Sequence, residues 1–104
     1  MRLRRSPYAK VIDAQLELFL RDDRELLAEV AERHDAYTRA GRTDAEELYG
    51  DYVDAVETGT EVLADMRDHY ASTLDDAAAE AYIADFNRAV ARKLPEFALE
   101  LENR

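Results

Sequence analysis

The sequence predicts an all-α fold: an elongated antiparallel three-helix bundle, or four helices if the first one breaks near Asp22/Asp23. Three observations carry that expectation. Ala, Leu, Glu and Arg, the strongest helix formers, dominate a chain punctuated by only three glycines and two prolines. Apolar residues recur three and four apart through most of the chain, and no alternating strand pattern competes. At 104 residues, 47% of them hydrophobic and 37% charged, the chain suits one core and not two. The expected division is a basic N-terminal arm over residues 1–6 and a single helical bundle domain over 7–104.

Ser6 followed by Pro7 reads as an N-cap with proline in the first turn, so the first helix is expected to open near residue 7. Tyr8, Ile12, Leu16, Phe19, Leu26, Val30, His34 and Tyr37 then fall within about 80° of one another at 100° per residue. That unbroken phase favours one long helix to about residue 40, with Asp23 a polar flaw on its inner face. Gly41 stands where a C-cap is expected, and Thr43 with Glu46 has the spacing of a capping box for the next helix. Leu48, Tyr52, Ala55, Gly59, Val62 and Met66 form a heptad seam, widened by Tyr49, Val53, Val56, Leu63 and Tyr70. A stripe so broad marks a central helix with two neighbours. Ser72, Thr73, Asp75 and Asp76 supply the next capping signal, after which Ala79, Ile83, Phe86, Val90, Leu94, Phe97 and Leu101 hold one face. Pro95 interrupts that face, and a kink or short restart is expected there.

The formal net charge of −10 disfavours nucleic acid and anionic membranes, which such a surface repels. The exception is the start, where Arg2, Arg4, Arg5 and Lys10 meet no acid in ten residues; the expected reading is a basic arm beside an acidic body. No run approaches the roughly 20 apolar residues of a membrane helix, and MRLRRSPYAK lacks the apolar stretch of a signal peptide, so a cytoplasmic protein is expected. Cysteine is absent, which removes disulfides, thiolate nucleophiles and Cys-based metal sites.

The strongest chemical pattern is the ladder Glu57, Glu61, Asp65 and His69, spaced four apart. It points mostly away from the seam and rises about 18 Å, so only neighbouring members can share an ion. Asp65, His69 and Glu61 are the metal candidates, but only Asp65 with His69 or Glu61 with Asp65 can chelate jointly, and two ligands fall short of the three or more protein ligands that zinc takes. No Glu-x-x-His pair exists, since Ala31 precedes His34 and Met66 precedes His69 by three. The ladder is read as a solvated acidic face, and no metal or other cofactor is expected. His34 is read as filling space beside Gly50, and His34, Tyr37 and Tyr49 as lining a possible small pocket at the hairpin end. Ser6, Ser72, Thr43 and Thr73 read as caps, and Thr58 and Thr60 flank Gly59 with no histidine near in a triad-like arrangement, so no catalytic residue is assigned.

Interaction remains. Val11, Leu18 and Leu20 lie off the stripe of the first helix and Leu99 off that of the last, an apolar excess that long helical hairpins cover by pairing. The expected function is that of a non-enzymatic, acidic helical protein acting through protein–protein interaction, as a homo-oligomer, a homodimer in particular, or with another protein partner. The alternative is a carboxylate-rich bundle that binds a metal or small ligand.

Overall fold

The computed structural model describes residues 6–104, and these form five α-helices and one 3-10 turn with no strand. In chain order they are α1 (Ala9–Asp22), α2 (Arg24–Thr38), α3 (Ala45–Ala71), α4 (Asp76–Lys93), the 3-10 turn Pro95–Phe97 and α5 (Ala98–Glu102). The fold is all-α. α2 packs along α3, α4 returns antiparallel on the other half of α3, α5 folds back onto α3 and α4, and α1 lies on α4. The body measures 49 × 32 × 23 Å. Its radius of gyration of 15.8 Å exceeds the roughly 13 Å of a compact chain this long.

The expected long first helix is broken at Asp23, and with α5 set apart after Pro95 the described residues hold five α-helices where three or four were expected. Asp23 has φ −111° and ψ 25° and makes no side-chain cap bond. Its N–H still donates to Phe19 O at 2.9 Å and its carbonyl accepts from Leu27 N at 3.0 Å. A break one residue wide leaves the phase of the apolar stripe intact, which is why periodicity does not reveal it. Its cause is tertiary: α1 takes α4 as its neighbour while α2 takes α3, and one straight rod cannot follow both.

Helix ends follow backbone geometry more than motif. α1 opens at Ala9, two residues past Pro7, because Pro7 and Tyr8 form a turn closed by Ala9 N donating to Ser6 O at 3.1 Å, and Ser6 Oγ accepts from Tyr8 N at 3.0 Å. The Ser6 hydroxyl in turn donates to Asp85 on α4. Arg2, Arg4 and Arg5 of the expected basic arm lie outside the described residues, and Lys10 is exposed on α1. The Thr43–Glu46 box does not form: α3 starts after Asp44, whose helix-like φ −100° and ψ −8° leave it without a side-chain cap bond. Gly41 has no positive φ and serves instead through its carbonyl, which accepts from Asp44 N and Ala45 N at 3.2 and 3.1 Å. Asp75 does cap, because ψ 167° swings its carboxylate over the first turn of α4 to accept from Ala78 N at 2.8 Å. At Pro95 the chain restarts, as expected: Leu94 turns out of the helix with φ −139° and ψ 59°.

The core lies where α1, α3, α4 and α5 meet. Phe19, Phe86, Phe97, Leu63 and Leu101 are fully buried there, each contributing about 1.5–3 kcal/mol relative to exposure. Gly59 makes the junction possible, since a Cβ at that position would stand 2.4 Å from Phe97 Cε1. The Phe97 ring occupies that notch and meets Phe19 edge-on at 5.9 Å. Tyr82, which the stripe assignment passes over for Ile83, has no exposed surface. Its hydroxyl donates to Gln15 Oε1 at 2.8 Å, and its ring packs against Tyr8, Tyr70 and Phe86. Burial pushes the Tyr82 phenol up to about 12, more than the Gln15 hydrogen bond lowers it.

Arg67 is the one charged side chain in this core among the described residues, at 2% exposure. Its guanidinium donates to Asp68 Oδ1 at 2.8 Å, Asn87 Oδ1 at 3.0 Å, Leu101 O at 3.2 Å and Arg104 O at 3.0 Å. These bonds tie α3 to α4 and to the end of α5, and a planar fork with five donors suits four acceptors in three directions.

Candidate functional site

From Ala31 to Asp54 no side chain is buried. The far half of α2 and the first half of α3 thus form a two-helix arm, because α4 and α5 reach back only to the Gly59 region. Aromatic rings lie between its two helices: Tyr37 meets Tyr49 at 5.0 Å between centroids, and His34 meets Tyr52 at 5.2 Å. At its base Arg33 pairs with Glu29 and donates to Asp51 O at 2.7 Å. His34 is exposed and rests on Tyr52, whereas Gly50 faces open space with nothing within 4 Å. The expectation that His34 fills space beside Gly50 is therefore corrected: an exposed imidazole gains more from the Tyr52 ring than from an empty groove.

Where the arm joins the body there is a cleft of about 390 Å³, lined by Leu27, Val30, Ala31, His34, Tyr52, Pro95 and Glu96. Leu27, Val30, Ala31 and His34 follow one another at helical spacing, so one face of α2 forms a wall. The turn after α4 brings Pro95 and Glu96 opposite. Of the pocket candidates His34 lines this cleft, while Tyr37 and Tyr49 stack on each other farther along the arm. Burial raises the Tyr52 phenol above its ordinary value, and the charge of Glu96 adds to that shift, followed by Tyr49. Leu27, Val30, Tyr52, Pro95 and Glu96 were not assigned to a site from the sequence. The available signal was the break at Pro95, which had to return the chain over some neighbour.

The ladder is solvent-facing: Glu57, Glu61, Asp65 and His69 are all exposed. No three His, Cys, Asp or Glu side chains gather to hold a metal ion among the described residues. The interface candidates do not form one surface. Leu18 and Leu20 are 41% and 43% exposed and flank Phe19, which has no exposed surface. They stand about 200° apart around α1, on opposite flanks. Val11 shares the flank of Leu18 but is half-buried against the core. Leu99 on α5 is 73% exposed. Among the described residues no helix is long and apolar enough to cross a membrane.

A second groove, of about 460 Å³, runs between α1 and α4 and is lined by charged residues of both signs, among them Asp13, Asp85, Arg88 and Arg92. Asp85 pairs with Arg88, and Asp13 with Lys93 at 3.0 Å. Compared with protein families, with curated proteins and with solved structures, the chain matches none.

Proposed function

We propose that the protein is a non-enzymatic, acidic helical module that works through protein–protein contact, as a homodimer in the cytoplasm. The observation that carries this reading is the apolar surface left outside the core. Leu18, Leu20, Tyr49 and Leu99 are each more than 40% exposed, and the arm adds a stretch with no buried side chain. These side chains lie on separate faces, so the contact is a small one centred on one of them, and large apolar side chains left in water are what a partner would cover.

Charge narrows the choice of surface. Residues 43–54 of the arm carry Asp44, Glu46, Glu47, Asp51 and Asp54 and no basic residue, so two arms laid together repel. The self-contact therefore uses α1 and the C-terminal segment, where the Phe19–Phe97 ring contact joins α1 to the 3-10 turn that leads into α5. The arm is left for a basic partner.

Sedimentation equilibrium tests the proposal, with a mass of twice the 11.9 kDa subunit expected. Leu18→Glu and Leu20→Glu are measured separately. Because they occupy opposite flanks, one substitution should dissociate the dimer and the other leave it intact. A wild-type mass of one subunit at high concentration, or no response to either substitution, overturns the reading.

A further inference from the structure

The cleft at the base of the arm is not used by the interaction reading, and its chemistry is specific. Its volume of about 390 Å³ lies at the small end of the range of ligand sites, roughly 300–1,000 Å³. Leu27, Val30, Ala31 and Pro95 offer water few hydrogen-bond partners, so displacing water from them with an apolar group is favourable. Two aromatic rings, His34 and Tyr52, meet at 60° beside them.

Glu96 gives the site its sign. Among the described residues its carboxylate takes part in no ion pair. It is the only carboxylate of the lining, and its field reaches the Tyr52 phenol. Arg33, the arginine nearest in sequence to His34, is committed to Glu29 and the Asp51 carbonyl. An anion entering this cleft meets the Glu96 carboxylate; a cation meets that carboxylate and the Tyr52 ring, whose face also attracts positive charge.

The wall is fixed in advance. Phe97, adjacent to Glu96, sits in the notch that Gly59 leaves, with Phe97 Cε1 where a Cβ would come within 2.4 Å. Phe97 is wholly buried, so the Pro95–Glu96 side of the cleft is held in register with α3 before any ligand arrives. Such preorganisation spares the ordering cost of binding.

We propose that this cleft binds a small organic cation, an aryl- or alkylammonium whose apolar body rests on Leu27 and Val30 and whose charge lies beside Glu96. Gly59 is a positioning residue for the site and makes no contact with the ligand.

The test is an NMR titration of the isotope-labelled full chain with three probes of like shape: phenethylammonium, phenethyl alcohol and hydrocinnamate. Expected are saturable shifts at the Leu27 and Val30 methyls and the His34 and Tyr52 rings with the ammonium, and weaker or no binding of the other two. Glu96→Gln should weaken ammonium binding about threefold to fivefold, the scale of a solvent-accessible ion pair. Glu96 is exposed, so this variant folds, and unchanged amide spectra verify it. The proposal is overturned if the ammonium gives no saturable shift at these residues, if the alcohol binds as well, or if Glu96→Gln leaves the affinity unchanged.

Discussion

Gly59→Ala is a sharp test of how this core is assembled, because two effects of known size oppose each other. Alanine in place of glycine in a helix interior stabilises by about 1 kcal/mol. The new Cβ, however, stands 2.4 Å from Phe97 Cε1 and 2.9 Å from Cζ, whereas carbon atoms rest at about 3.5–4.0 Å. The ring must therefore move by about 1 Å or more. It has no exposed surface through which to retreat, and Phe19 stands edge-on to it at 5.9 Å. Overpacking of that kind costs about 1–3 kcal/mol, and with so little room the upper half of the range applies. The net expectation is a loss of about 1–2 kcal/mol, or a Tm lower by about 5–10 °C in a domain of this size. Gly50→Ala, on the same helix with nothing within 4 Å, shows the propensity gain alone and raises stability by up to about 1 kcal/mol. Urea unfolding followed by circular dichroism measures both. If Gly59→Ala matches or exceeds the wild type, the notch is not closed by Phe97 and the argument for a fixed Pro95–Glu96 wall goes with it.

Two further predictions concern the buried polar groups. Arg67→Ala should cost about 1–3 kcal/mol, since it leaves the buried Leu101 carbonyl without its donor while the exposed Asp68 carboxylate turns to water. α5 should lose its amide protection before α3 does, and Arg67→Lys should recover only part, one ammonium being unable to span four acceptors; unaltered exchange in α5 contradicts the clamp. For Tyr82 the folded phenol, pushed up to about 12, lies above its ordinary 10.0. Its contribution to stability is therefore complete below pH 10 and is lost as the pH rises from 10 through 12. Absorbance titration of the folded protein should show one of the six tyrosines ionising last, and Tyr82→Phe should remove that step; six phenols titrating together near pH 10 refute it.

The stripes of α3 and α4 were legible because burial on one side writes itself into a 3.6-residue period, and Phe86, Val90, Phe97 and Leu101 were assigned inward on that ground. Arg67 was not, although it lies only about 80° from the centre of the α3 seam. A wheel assigns charge to solvent, and what permits burial here is a set of acceptors on α4 and α5 that no local pattern reveals. Tyr82 was missed for a related reason. A tyrosine is buried where its hydroxyl finds a partner, and that partner, Gln15, is far away in the chain. The capping box failed at Thr43 because a cap depends on ψ at the helix start, which composition does not set. The cleft escaped notice because its walls come from three separate elements.

Composition and periodicity alone determine that this protein is helical, that it is acidic, where the turns before α3 and α4 fall and which apolar stripes of α3 and α4 face inward, because helix propensity and amphipathic spacing act within a few residues. Tertiary structure decides the rest. Where α1 leaves the course of α2, where Phe97 seats against Gly59, what satisfies Arg67, and that Glu96 comes to face His34 and Tyr52 all depend on contacts between residues remote in the chain. Their energies arise only when the helices meet, so no local pattern of residues records them.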